Sequence, residues 1–240
     1  MNWFYFSSPS TFYRFAGRLA PWFFALAALL TAAGLYMGLV VAPTDAQQGE
    51  VYRVIFIHVP AAWMSMFSYF VMACYGAVSL AFNTRLAAMM ARAIAPTGAM
   101  FTFVALWSGS FWGRPTWGAY WVWDARLTSE LVLLFLYIGF IALANAFEDP
   151  RRGDRAAALL AIIGVVNLPI IYFSVQWWNT LHQGSSVSFR SGSSMHVAML
   201  WGMLLMAFSF WMYAIGAALV RCRTLILDRE RRTRWVRALT

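Results

Sequence analysis

Six stretches of the chain are apolar and free of formal charge: about 19–42, 54–82, 93–113, 131–147, 156–178 and 197–220. A helix needs about 20 apolar residues to cross the hydrocarbon core of a bilayer. Inside that core every backbone N–H and C=O must be satisfied within the protein, which leaves helices or a closed barrel. Runs of this length specify helices, and the fourth reaches the required length if it starts near Leu127 and takes in Glu130. The expected fold is therefore an all-α membrane protein, a six-transmembrane-helix bundle forming one integral membrane domain over 1–240. The first run exceeds the 7–15 apolar residues of a signal peptide and reads as a retained span. The second is longer than one crossing requires, so its first turns should project from the bilayer or lie at its surface.

Composition agrees. Residues are 62% hydrophobic and 11% charged, against about 25% charged in soluble domains. The formal charge of +9 is the balance of 18 basic residues, all arginine, against nine acidic ones. Most stand in short connections between apolar runs, as the positive-inside rule expects, and this excludes nucleic acid as the partner. Six spans put both termini on one side. Fourteen arginines fall on that side and four on the other, namely Arg53, Arg114, Arg126 and Arg190. The termini should then be cytoplasmic and the opposite face, in a bacterial inner membrane, periplasmic. The basic tail 221–240 reads as a solvated end that also anchors to anionic lipid. Cys74 and Cys222 belong to no CxxC or CxxCH motif, which gives no disulfide framework and no covalent haem attachment.

The polar chemistry is gathered on the outward side. His58 lies early in the second span, His182 in the last external loop, and His196 at the start of the sixth span. Between the third and fourth spans, five of the 13 tryptophans fall within Trp107–Trp123, and Asp124 follows. Were 117–124 helical, Trp117, Trp121 and Asp124 would share one face. An interfacial aromatic belt scatters one or two aromatics at each helix end. This density, with Trp112, Trp117, Trp121 and Trp123, suits a platform for a flat amphipathic ligand. Neutral imidazole is the usual axial ligand of haem iron. The outward face offers His58 with either His182 or His196, and Arg53, Arg114 and Arg126 as cations for propionates or a partner. Zinc competes poorly, because no thiolate or compact His/carboxylate set accompanies the histidines. Elsewhere, Pro60 should sit in a first helical turn, Pro169 should kink the fifth span, and Glu130 should reach the interface or pair with an arginine.

The block 117–124, WGxxWxWD, followed by Ala125-Arg126-Leu127-Thr128-Ser129, resembles the tryptophan-rich WWD domain of haem-handling proteins in cytochrome c maturation. His58 in HVPAAW and His182 in WWNTLHQ resemble the flanking histidine motifs of the CcmC, haem exporter protein C, family. Span number and length agree, so the resemblance covers nearly the whole chain, with a periplasmic WWD segment, loop or helix, at 107–130. It implies haem b held non-covalently at the periplasmic face by His58 and His182 as axial ligands to iron, with Trp117, Gly118, Trp121, Trp123 and Asp124 as domain residues. It implies delivery to the haem chaperone CcmE, in company with the CcmA/CcmB ABC transporter and CcmD, and a binding protein rather than an enzyme. His196 matches no family motif and reads as a helix-start residue. Asp124 is expected to orient the platform without touching iron. A haem transporter proper and a membrane haem oxidoreductase are the alternatives. The first lacks a visible polar route from the cytoplasm, and the second lacks a histidine at mid-membrane.

Overall fold

The computed structural model describes residues 8–182, 187–188, 192–193 and 195–239. Arg190 and most of the polar stretch 184–194 lie outside the described residues. The architecture is the expected all-helical one, with six helical spans long and apolar enough to cross a membrane: Pro9–Val41, Glu50–Phe82, Arg85–Trp117, Ala125–Asn145, Pro150–Trp177 and Val197–Glu230. They contain α1 (Pro9–Tyr36), α2 (Ile55–Phe82), α3 (Arg85–Trp117), α4 (Ala125–Asn145), α5 (Pro150–Gly164), α6 (Asn167–Trp177) and α7 (Val197–Glu230), and a short α8 (Arg234–Arg237) follows. A two-residue strand pair, Val187–Ser188 with Gly192–Ser193, is the sheet structure among the described residues.

The central helix is α3, which packs on α2, α4 and α7. Its inward face is built from small residues: Ala87, Ala88, Ala91, Ala95, Gly98 and Ala105. Small side chains let helices approach closely where lipid supplies no hydrophobic drive for association. At Gly98 a Cβ would lie 2.2 Å from the Tyr137 ring and hydroxyl, so the bare backbone is what admits that side chain of α4. Asn83, in the left-handed region at φ 51°, ends α2 and reverses the chain into α3. On the other flank α1 lies along α7. Thr31 and Ser209 hydroxyls meet at 2.6 Å, and Ser209 also donates to the Ala27 carbonyl.

The fifth span is broken, as Pro169 anticipates. Helix α5 stops at Gly164, and α6 restarts at Asn167 after two turn residues. Proline has no N–H for the Val165 carbonyl, and the Leu168 N–H bonds that carbonyl instead at 3.0 Å. The second span corrects one expectation: a 3-10 turn over Glu50–Val54 precedes α2, so Pro60 is the sixth residue of α2, past its first turn.

Contacts sort the connections between the two ends. At one end Arg229 and Arg92 both pair with Asp154, and Tyr13 lies between Arg223 and Trp235. This gathers the start of α1, the start of α5 and the C-terminal tail. At the other end Trp112 donates to Gln48 at 2.8 Å and His182 lies against Trp117, joining the first, third and fifth connections. Both ends of the described chain thus stand together, opposite the tryptophans. In a protein with Cys74→Ser and Cys222→Ala, a cysteine placed at exposed Gln47 or exposed Arg232 should react with an impermeant maleimide from opposite faces of the membrane. Labelling of both from one face would overturn the arrangement.

Candidate functional site

His58 is held by α3. Its Nδ1 lies 3.0 Å from the Ala105 carbonyl and 3.1 Å from Ser108 Oγ. The Ser108 hydroxyl already donates to Val104 O at 2.6 Å, so both oxygens near Nδ1 act as acceptors. Nδ1 therefore carries the proton, and Nε2 keeps its lone pair. The ring fits because residue 109 is glycine, where a Cβ would fall 2.8 Å from His58 Cε1. Trp112 packs on the imidazole edge to face, with centroids 5.5 Å apart.

His182 approaches from the segment after α6. Trp117 lies against it with centroids 4.8 Å apart, and its Nδ1 stands 3.5 Å from Asp124 Oδ2. Burial pushes the His182 pKa below its ordinary value, the nearby Arg126 pushes the same way, and Asp124 opposes both. The imidazole is therefore neutral at pH 7. The other oxygen of Asp124 accepts the Leu127 N–H at 2.8 Å and caps α4. Asp124 thus joins the start of α4 to His182.

Both imidazoles border one cavity of about 40 Å³, whose wall also includes Gly109, Arg126, Leu127 and Glu130. That is room for water-sized groups, so a macrocycle would enter by widening it. Seven buried side-chain polar atoms among the described residues have no hydrogen-bond partner; four of them, Trp121 Nε1, Asp124 Oδ2, Thr180 Oγ1 and His182 Nδ1, belong to the 118–124 turn and the segment that carries His182, and Asp124 Oδ2 and His182 Nδ1 face each other beyond hydrogen-bond distance. Unpaired buried polar atoms are costly and normally rare. The His182 side is thus loosely satisfied, whereas His58 is fully held. Among the described residues no group of three or more His, Cys, Asp or Glu side chains stands together as a metal site.

The remaining predicted residues divide. The 117–124 segment is not helical, because α3 ends at Gly118, whose φ of +81° favours glycine. Trp117, Trp121 and Asp124 therefore do not share a helix face. Trp112 and Trp117 turn inward to the histidines, while Trp121 packs edge to face on Trp123, which is 78% exposed. Trp107, Phe111 and Tyr120 form an outer exposed row. Arg126 lines the cavity and reaches the Ile171 carbonyl at 3.4 Å. Arg53 ties Gly38, Ala42 and Glu50 together through hydrogen bonds, and Arg114 donates to Gly118 O beneath Tyr120. His196 caps α7, accepting the Ala198 N–H at 3.2 Å, as a helix-start residue should. Glu130 is buried and takes its hydrogen bond from Ser65 Oγ at 2.7 Å, neither reaching water nor forming an ion pair among the described residues. Glu130, Ser108 and Gly109 are site residues that motif reading passed over, although the GSFWG spacing of Gly109 and Gly113 was visible as a small-residue pair.

A six-span helical membrane protein with two histidines converging beside a tryptophan-rich turn is the class that fold and site define. The sequence profile of CcmC, heme exporter protein C, matches residues 2–237, and the chain belongs to that family. It is 48% identical to Heme exporter protein C of Escherichia coli K12 over 231 residues, 96% of this chain and 93% of that protein. Heme exporter protein C of Bradyrhizobium diazoefficiens is 47% identical over 227 residues, 95% of this chain and 86% of its own. A putative cytochrome c biosynthesis ccmC-like mitochondrial protein of Marchantia polymorpha is 44% identical over 199 residues, 83% of this chain and 84% of its own.

Gly109→Ala should displace the His58 ring or force α2 from α3. Overpacking of this kind costs about 1–3 kcal/mol, read as a lowered thermal midpoint in detergent. A midpoint equal to that of the unaltered protein would show that the ring does not depend on this close approach.

Proposed function

We propose that this protein binds haem b non-covalently at its tryptophan-bearing end, with Nε2 of His58 and of His182 as axial ligands, and hands it on in cytochrome c maturation. The observation that carries this reading is the convergence of two imidazoles on one cavity, His58 with Nδ1 bonded to helix oxygens and His182 with Nδ1 3.5 Å from the Asp124 carboxylate. Such partners fix the ring of a ligating histidine, and an acceptor raises its basicity. Haem is cargo here. His58 offers a fixed ligand on packed helices, and His182 offers one on a connection with unpaired polar atoms, which suits a group that is taken up and released. Trp112 and Trp117 supply apolar surface beside the two rings. Arg126, at the cavity wall, supplies a cation for a propionate.

The exposed rings of Trp107, Phe111, Tyr120 and Trp123 are the surface on which the chaperone CcmE would dock, with the CcmA/CcmB ABC transporter and CcmD as the accompanying machinery. The fourteen-to-four distribution of arginines supports a bacterial inner-membrane location with both termini cytoplasmic and this face periplasmic. The role is binding and delivery, without an enzymatic step. An electron-transfer role draws no support, because His58, His182 and His196 all stand at the same end and supply no second haem level.

Purified protein should show a low-spin bis-histidine haem spectrum. His58→Ala and His182→Ala should each abolish that signature, and His196→Ala should preserve it; loss in His196→Ala alone would sink the ligand pair. Asp124→Asn keeps a good helix cap and removes the charge beside His182. Affinity for haem should fall about 10–100-fold, the usual effect of removing an outer partner of a ligand, and transfer to CcmE should fall with it. Loss of haem as complete as in His58→Ala would place Asp124 in direct ligation.

Acid should release haem through His182. Its folded pKa lies below the ordinary histidine value, so the neutral, ligating form persists at pH 7 and is lost as pH falls through that lowered pKa. Asp124 raises that pKa, so Asp124→Asn should lower the pKa of the His182 ring in the haem-free protein. Titration of the His182 ring signal by NMR in both proteins checks the direction, and a rise in the variant would contradict it.

A further inference from the structure

The end of the bundle remote from the histidines holds a second cavity, of about 290 Å³, several times larger than the first. It is a cleft between α4 and α7, which do not pack closely on each other, and α3 forms its floor. Two guanidinium groups stand in it. Arg92, two turns into α3, bonds Ala144 O and Asp154 Oδ1 at 2.9 and 3.1 Å. Asp154 is also gripped in bidentate fashion by Arg229, at 2.6 and 2.8 Å. One carboxylate therefore serves two arginines. Arg221, on α7, donates to the Thr97 hydroxyl and has no carboxylate partner among the described residues. Three arginines against one aspartate leave an excess of two positive charges, half-buried at the bundle's flank. The remaining wall is mostly apolar, with Phe140 and Ile141 from α4 and Leu225 from α7; its polar members are Thr224 and Asn145, whose Oδ1 accepts a further hydrogen bond from Arg92.

Cations at the mouth and an apolar trough behind them select an amphipathic anion. Basic pockets between membrane helices on the arginine-rich side recognise anionic lipid headgroups, and a guanidinium suits a phosphate through paired N–H donors. We propose that this cleft binds the phosphodiester of an anionic phospholipid, with Arg221 as the principal cation, Arg92 beside it, and an acyl chain along Phe140, Ile141 and Leu225. The bound lipid supplies the negative charge that the residues around Asp154 lack and fills the gap between α4 and α7.

The test uses the full chain, purified from bilayers of equal phosphatidylglycerol and phosphatidylcholine, with retained lipid counted by native mass spectrometry. Phosphatidylglycerol should be retained in preference. Arg221→Gln should lower that preference about tenfold, the scale set by loss of one charge-assisted bond. Thr224→Glu, at an exposed lining position, should lower it similarly by placing a carboxylate against Arg221, and it serves if Arg221→Gln does not fold. Arg85→Gln, exposed and outside both the cleft and the basic tail, should change nothing. Equal retention of the two lipids, or a preference that survives both cleft substitutions, would overturn the proposal. Displacement of retained phosphatidylglycerol by excess inorganic phosphate alone would overturn it in favour of a free-anion site.

Discussion

The approach of α2 to α3 decides where the rest of the protein can stand. A left-handed Asn83 turns one helix into the other, and the small residues of α3 let neighbouring side chains reach its backbone. His58 is one result. Its ring occupies the space that a side chain at residue 109 would take, and its proton goes to helix oxygens at Ala105 and Ser108. In a medium without water, an imidazole on a span needs such partners. Tyr137 is another result, since it passes over Gly98 and its hydroxyl donates to the Ser65 carbonyl at 2.8 Å. Ser65 in turn bonds Glu130 at the cavity wall. The walls of the cavity are therefore fixed by helix packing, and this explains how a carboxylate can be buried there.

The opposite side of the cavity is built on different terms. Asp124 spends one oxygen on the α4 N-terminus and leaves the other 3.5 Å from His182. The indole N–H of Trp121, three residues before Asp124, and the hydroxyl of Thr180, two before His182, are buried without partners. A folded chain does not ordinarily retain such a group of unpaired atoms unless the site serves another purpose. On the proposed reading the asymmetry has a use: one ligand stays with the scaffold and the other can yield when haem leaves.

Much of this was legible from residue order, for physical reasons that can be named. Apolar run length forces the spans, and Pro169 forces the break in the fifth, because neither depends on distant parts of the chain. The shape of the tryptophan segment was less accessible. Helical spacing would align Trp117, Trp121 and Asp124, but Gly118 ends α3, and a local periodicity does not reveal a left-handed stop. Glu130 shows the same limit from another side. Its position suggested water or an arginine, and its partner is a serine 65 residues away in the chain. Long-range partners of buried polar groups follow from packing, which no short motif encodes. The 3-10 turn before α2 lengthens the second span at its outer end and leaves Pro60 beyond the first turn of α2, a local conformation that the apolar run does not encode.

The broken fifth span connects these points. Helix α6 is 11 residues long and leads directly to His182. Its start is fastened to α4: Asn167 donates to Ser129 O at 2.9 Å, and Arg126 reaches Ile171 O at 3.4 Å. The break at Val165–Val166 separates this short helix from α5, whose own contacts lie toward the arginine end through Asp154. A continuous helix would transmit any displacement of His182 to that ion cluster. Two short helices with an interrupted hydrogen-bond ladder leave α6 fastened to α4 and α5 fastened to the ion cluster. Arg126 then links the cavity to the segment carrying the second histidine. On the proposed reading, a propionate at Arg126 would compete with its long bond to Ile171, a carbonyl of the helix that leads to His182.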